Sequence, residues 1–174
     1  MNRETVFVTG GARSGKSSFA YNLAESMSIH RAYIATAQPL DEEMKERIEK
    51  HRKARGPGWD TIEEPIKLVD ILSDIKKSYD LVLIDCITLW ISNLLGLYDE
   101  SAEYVLDDVK KLVHVCQGID CHLIFVSNEV GMGIVPENPL ARLFRDISGK
   151  TNQMLADISS SAYCMVSGLP LQVK

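Results

Sequence analysis

Long apolar runs are missing from this sequence. No stretch reaches the about 18 residues that a membrane-crossing helix requires, so neither a membrane span nor a membrane partner is expected. Metal and redox signatures are missing too. The four cysteines, Cys86, Cys116, Cys121 and Cys164, form no CxxC pair and have no His-x-x-x-His companion, which predicts free thiols in a reducing compartment. Basic excess is also absent: 19 Lys and Arg against 24 Asp and Glu leave a net charge of −5, which argues against a grip on the nucleic-acid backbone. The opening MNRETVFVTG passes from a polar start straight into a strand-like run, with no signal-peptide core, so a cytoplasmic protein is expected. With no repeat, linker or low-complexity tract, the 174 residues read as a single domain large enough to bury a core unaided.

What is present is an alternation of short β-branched and apolar runs with longer helical patterns, the signature of an α/β protein. Strands are expected at Thr5–Thr9, Ala32–Ala35, Leu81–Asp85, Leu123–Ser127 and Tyr163–Ser167, with a short edge strand at Leu171–Lys174. Most are continuously apolar, which predicts a mostly parallel sheet with helices on both faces. Helices are expected at Lys16–Met27, Asp41–Arg55, Ile66–Lys77, Ile87–Leu95, Glu103–Gln117 and Pro139–Ser159. Gly56-Pro57-Gly58 and the stretch from Gly131 to Pro139 must run irregularly.

The first strand runs directly into Gly10-Gly11-Ala12-Arg13-Ser14-Gly15-Lys16-Ser17 and then a helical pattern, meeting both the spacing and the context of a P-loop. Glycines let backbone N–H groups turn inward around phosphate oxygens, and the helix dipole adds positive potential. Lys16 would reach the β- and γ-phosphates and the Ser17 hydroxyl would ligate Mg²⁺. Leu81-Val82-Leu83-Ile84-Asp85 looks like a buried strand ending in a carboxylate at the ligand-binding edge. Asp85 there is either a metal-side acid on a strand neighbouring the P-loop or an N-cap of the helix from Ile87, a role Thr88 would also fit. No NKxD motif follows any strand and no arginine-rich lid is evident, so a regulatory G protein is not indicated.

The segment Asp41–Arg55 starts acidic and ends basic, as a helix dipole favours. Met44 and Ile48 lie four apart, with His51 three further on the same face, and Arg47, His51 and Arg55 form one row. Six Lys and Arg against two Glu between Lys45 and Arg55 reverse the overall charge locally. An imidazole among guanidinium groups suits attack on a nucleotide phosphate, although the same placement fits a packing histidine. His30, His114 and His122 fall in a turn, an amphipathic helix and a strand start. After the fourth strand, Asn128-Glu129 leads into a Gly- and Pro-containing loop and then Arg142 and Arg145, a layout suited to a substrate loop or to a merely structural one.

The segments VTGGARSGKS, YIATAQPLDEEMKERIEKHRKAR, LVLIDCITLWISNLL, VSNEVGMGIVPENPLARLFRDISGKTNQMLA and VSGLP together resemble the bifunctional adenosylcobinamide kinase / adenosylcobinamide-phosphate guanylyltransferase family of cobalamin biosynthesis, over essentially the whole chain. The resemblance implies ATP- or GTP-dependent phosphorylation of the aminopropanol hydroxyl of adenosylcobinamide. It also implies transfer of GMP from GTP to the resulting phosphate through a guanylylated histidine, matched here by His51. Gly10 to Ser17, Ala35, Thr36, Ala37, Arg52, Lys53, Ala54, Arg55, Glu63 and Asp85 match its nucleotide-contacting positions, and a homotrimer with sites near subunit boundaries is implied. The family often has Glu where this chain has Asp85, and some members have a second histidine where this chain has Lys50. Read from the P-loop alone, two other functions remain open: a small-molecule kinase without nucleotidyl transfer, and a nucleotide-switch or assembly ATPase.

Overall fold

The computed structural model describes residues 3–56, 58–75 and 79–174. Seven strands form one sheet: β1 (Thr5–Gly10), β2 (Arg31–Ala35), β3 (Asp60–Glu63), β4 (Leu81–Asp85), β5 (His122–Val126), β6 (Ser161–Val166) and β7 (Leu169–Gln172). Their spatial order is β3-β2-β4-β5-β1-β6-β7, parallel throughout except for the antiparallel β6–β7 pair at one edge. The helices are α1 (Lys16–Met27), α2 (Glu42–Arg55), α3 (Leu68–Asp74), α4 (Ile87–Leu97), α5 (Ala102–Gln117) and α6 (Pro139–Ile158).

The continuously apolar strands are explained by a core on each face. Phe7, Ile34, Val82, Ile84, Leu123 and Phe125 turn toward α3, α4, α5 and α6. Their chain neighbours Val6, Val8, Tyr33, Leu83, Ile124 and Val126 turn the other way, with Ala20 and Ala24 of α1 among them. Alanines at those two positions let α1 lie close to the sheet, and α1 begins directly at the P-loop.

Three expectations need correction. The four-residue strand β3 was not anticipated: its residues are mostly exposed, so the apolar signal of a buried strand is missing. The edge strand is Leu169–Gln172 rather than Leu171–Lys174. It starts early because Ser167 and Gly168, with φ of 51° and 85°, make a two-residue hairpin turn with both centres left-handed. Pro170 is tolerated because the strand is an edge. Asp85 does not end a strand adjacent to β1, since β5 lies between β4 and β1. The expected helix over Ile66–Lys77 is described as Leu68–Asp74, with Lys76 and Lys77 outside the described residues, as is Pro57 of the Gly-Pro-Gly turn.

Candidate functional site

All parallel strands point their C-terminal ends to one edge, and the P-loop emerges there from β1. Gly10 leaves the strand at φ 144°, and a Cβ on it would stand 2.6 Å from the Met165 carbonyl oxygen and 2.9 Å from Ser14 Oγ. Glycine is therefore required by both conformation and space. The Glu129 N–H donates to the Gly10 carbonyl at 2.9 Å, and the Gly168 N–H donates to the Ser14 carbonyl at 3.0 Å. The loop is thus held from two sides, by the end of β5 and by the β6–β7 turn. VSGLP serves the site through that second contact, which its sequence advertises only as a turn.

Within the loop, Arg13 has φ 58° and Gly15 has φ 95°, and Gly11, Ala12 and Arg13 are exposed. Ser14 Oγ is buried with no hydrogen-bond partner, an orphaned polar atom inside the cradle that a phosphate oxygen would satisfy. Lys16 is buried, and its ammonium donates to the Gly11 carbonyl at 2.6 Å, folding across the loop it is expected to serve. Burial lowers its pKa, opposed by Cys86 and Asp85, and Arg47 pushes the same way as burial.

The Ser17 hydroxyl donates to Asp85 Oδ2 at 2.8 Å. Although β5 intervenes, α1 crosses it and brings the two together. Asp85 is not the N-cap of α4: that place is taken by Cys86, whose sulfur accepts from the Leu89 N–H at 3.4 Å. A hydroxyl beside one carboxylate is a hard-oxygen pair suited to Mg²⁺, which takes few protein ligands and completes its shell with water and substrate phosphates. Among the described residues no cluster of three or more His, Cys, Asp or Glu is disposed to hold a metal by itself.

Next to Asp85, in register, is Ala35. Thr36 is fully buried: its Oγ1 donates to the Cys86 carbonyl at 2.7 Å and accepts from the Cys86 N–H at 2.9 Å, and its carbonyl accepts from Asn93 Nδ2. Thr36 therefore ties the ends of β2 and β4 together at the edge, with Ala37 half-buried beyond it.

Helix α2 is capped by Asp41, whose Oδ1 accepts from the Met44 N–H at 2.7 Å. Most of it is exposed. Met44, Ile48 and His51 are half-buried and Arg55 is buried, the single inner face that the spacing predicts. Arg47 lies close enough to Lys16 for its charge to act there, and Arg55 acts likewise on Tyr21. His51 lies one helical turn from each of these arginines on α2 and is half-buried. Arg52 and Glu63 form an exposed ion pair with each other, and Lys53 is 3.9 Å from Glu49. Ala54 lies in α2, and its side chain is outside the described residues.

Two groups of residues escaped the sequence. Thr88, Ser127, Asn152 and Asn128 form a buried chain of hydrogen bonds under the loop after β5. Tyr21, Tyr33 and Trp59 form an aromatic cluster under the end of α2. Neither has a motif, because its members are far apart in the chain.

A parallel sheet with a P-loop between β1 and α1, and a hydroxyl–carboxylate pair beside it, defines a P-loop nucleotide-binding protein. Solved structures agree on that fold: the RadB recombinase matches with TM-score 0.55 at 15% identity over 92% of this chain and 73% of that one. A type III secretion ATPase matches with TM-score 0.54 at 10% identity over 92% and 50%. The sequence goes further. Residues 6–173 match the cobinamide kinase / cobinamide phosphate guanyltransferase family, and the chain belongs to it. The bifunctional adenosylcobalamin biosynthesis protein CobU of Escherichia coli is 39% identical over 97% of this chain and 99% of its own length. CobU of Salmonella typhimurium is 41% identical over 97% and 99%, and CobP of Pseudomonas aeruginosa is 40% identical over 96% and 95%.

Proposed function

We propose that this protein phosphorylates the aminopropanol hydroxyl of adenosylcobinamide with ATP or GTP, and then transfers GMP from GTP to adenosylcobinamide phosphate through a guanylyl-His51 intermediate. The observation that supports the second reaction is the half-buried His51 one helical turn from Arg47 and one from Arg55 on α2. A kinase without nucleotidyl transfer needs no such row, and neither does a nucleotide switch.

In the kinase step the acceptor oxygen attacks the γ-phosphorus, and the bond to the β–γ bridging oxygen breaks, releasing nucleoside diphosphate. Lys16 and the loop N–H groups from Gly10 to Ser17 hold the phosphates, and positioning and charge neutralisation carry most of the catalysis. In the transfer step an imidazole nitrogen of His51 attacks the α-phosphorus of GTP, and pyrophosphate leaves with the electron pair of the broken P–O bond. A phosphate oxygen of the acceptor then displaces His51 to give adenosylcobinamide-GDP. Arg52 and Lys53 place positive charge at the exposed end of α2, and Ala35, Ala37 and Glu63 would border the nucleotide, as the family resemblance implies. Ser17 and Asp85 would hold Mg²⁺, which neutralises phosphate charge in both steps.

The corrin acceptor is large and partly apolar. A cavity of about 450 Å³ between α4 and α6, lined by Leu95, Ala141 and Phe144 beside the loop after β5, supports an acceptor docked on that side. We further propose a cytoplasmic homotrimer. No helix among the described residues is long and apolar enough to cross a membrane.

Incubation with GTP labelled at the α-phosphate is expected to leave acid-labile label on the protein, and His51→Ala to abolish it. Label that persists in the variant rules out His51 as the nucleophile.

A further inference from the structure

Arg55 ends α2, and only 8% of it is exposed, yet among the described residues no carboxylate pairs with it. Its guanidinium lies instead 4.0 Å from the centroid of the Tyr33 ring, on β2. Tyr33 stacks on Tyr21 of α1 at 5.7 Å, and Trp59 sets its edge against both rings, at 5.7 and 6.1 Å. Arg31 covers Trp59 from outside, at 4.8 Å. Two guanidinium groups therefore bracket three rings. Burying an unpaired cation is expensive, and a stacked, planar guanidinium tolerates it far better than an ammonium does.

The position of the cluster gives it a purpose. It grips the chain on both sides of the α2–β3 connection, at Arg55 and at Trp59. The rest of α2 is mostly exposed, so this is the helix's firmest attachment. His51 lies one helical turn from Arg55, about 6 Å along the axis. Tyr21 lies one turn from Ser17 on α1 and shares its face, so the same cluster joins the P-loop helix to the nucleophile's helix.

We propose that Arg55 is a positioning residue, anchored by Tyr33 and Tyr21, which fixes His51 relative to the P-loop instead of contacting nucleotide phosphate. The effect on guanylylation rests on the transferase reading above, whereas the anchoring of α2 does not. Loss of the anchor leaves nucleotide binding to Gly10–Ser17 intact and slows attack on the α-phosphorus, because small misplacements of a reacting group cost large factors in rate.

The test compares Arg55→Lys, Tyr33→Leu and Tyr33→Phe with the unsubstituted protein. It uses single-turnover labelling from α-labelled GTP, GDP affinity, and hydrogen exchange of the Met44–Arg55 segment. Arg55→Lys and Tyr33→Leu are expected to slow labelling about tenfold or more, with GDP affinity unchanged and exchange in α2 accelerated. Tyr33→Phe keeps the ring and is expected to match the unsubstituted protein in all three. Arg55→Lys is the deciding variant should Tyr33→Leu fail to fold. A loss of GDP affinity in Arg55→Lys that accounts for its slower labelling makes Arg55 a phosphate ligand and overturns the proposal, as does unchanged exchange in α2. An unsubstituted protein that takes no label overturns the transferase reading, and exchange in α2 then decides the anchor by itself.

Discussion

Gly10 and Gly11 are adjacent and chemically identical, yet the structure asks different things of them. A methyl group on Gly10 meets the Met165 carbonyl oxygen at 2.6 Å and sits at a φ of 144°, whereas one on Gly11 meets nothing within 4 Å. The carbonyl belongs to a paired strand and cannot move aside cheaply. Gly10→Ala is therefore expected to cost about 1–3 kcal/mol of stability, combining overpacking with a backbone conformation that alanine resists. Gly11→Ala should stay within about 0.5 kcal/mol. Urea unfolding of the two variants measures the difference. Equal losses would mean that neither the close approach of the β6 backbone nor the φ of Gly10 carries the expected cost. Lys16 and Ser17 differ in how they are held. Lys16 is held by the Gly11 carbonyl of its own loop, while Ser17 is held across the sheet by Asp85.

At the scale of elements, three of them are fastened together beneath the loop after β5. Thr88 of α4 meets Ser127 at 3.1 Å, Ser127 donates to Asn152 Oδ1 of α6 at 2.6 Å, and Asn152 Nδ2 donates to the Asn128 carbonyl at 3.1 Å. Asn152→Ala removes a partner from two buried groups and is expected to cost about 2–4 kcal/mol. A shift in the urea midpoint measures it, and a loss below about 0.5 kcal/mol would show that the network does not bind these elements. No motif scan finds this network, since residues 88, 127 and 152 are joined only by folding. What the sequence does show is whatever a local pattern encodes. The bounds of α1 come directly from the P-loop and its helical period, and the buried strands come from apolar runs such as LVLID. The inner face of α2 follows from the spacing of Met44, Ile48, His51 and Arg55. By contrast, β3 is short and exposed at an edge, and Pro170 disguises the start of β7. Asp85 could be read as a site acid from its strand, but not that α1 would have to cross β5 to meet it.

At the scale of the whole molecule, the exposed apolar side chains among the described residues include two groups, one on the outer strand and one on the loop after β5. Leu169, Leu171 and Val173 alternate along the outer strand, so they share one face, and they are 72%, 58% and 60% exposed. Met132, Ile134 and Val135 protrude from the loop after β5, with Ile134 97% exposed. An edge strand with an apolar face invites pairing, and its Ser167-Gly168 turn touches the P-loop through Ser14. A closed ring of three copies needs two different surfaces that meet head to tail, whereas a two-fold dimer needs one surface that meets itself. Two unlike apolar patches, one on the outer strand and one on the loop after β5, suit the ring. The proposed trimer would then cover both and place each nucleotide site near a neighbour. A charge on either patch is expected to break the same contact. Leu171→Lys and Ile134→Lys should each sediment at the mass of one chain, where the unsubstituted protein sediments at three. Both variants should also lose turnover of the corrinoid acceptor if, as the trimer proposal holds, a neighbouring chain completes the acceptor pocket beside the cavity between α4 and α6. An unsubstituted protein that sediments as one chain would end the trimer proposal. A folded monomeric variant with full turnover would show that one chain holds the whole acceptor site, and that the apolar patches serve assembly alone.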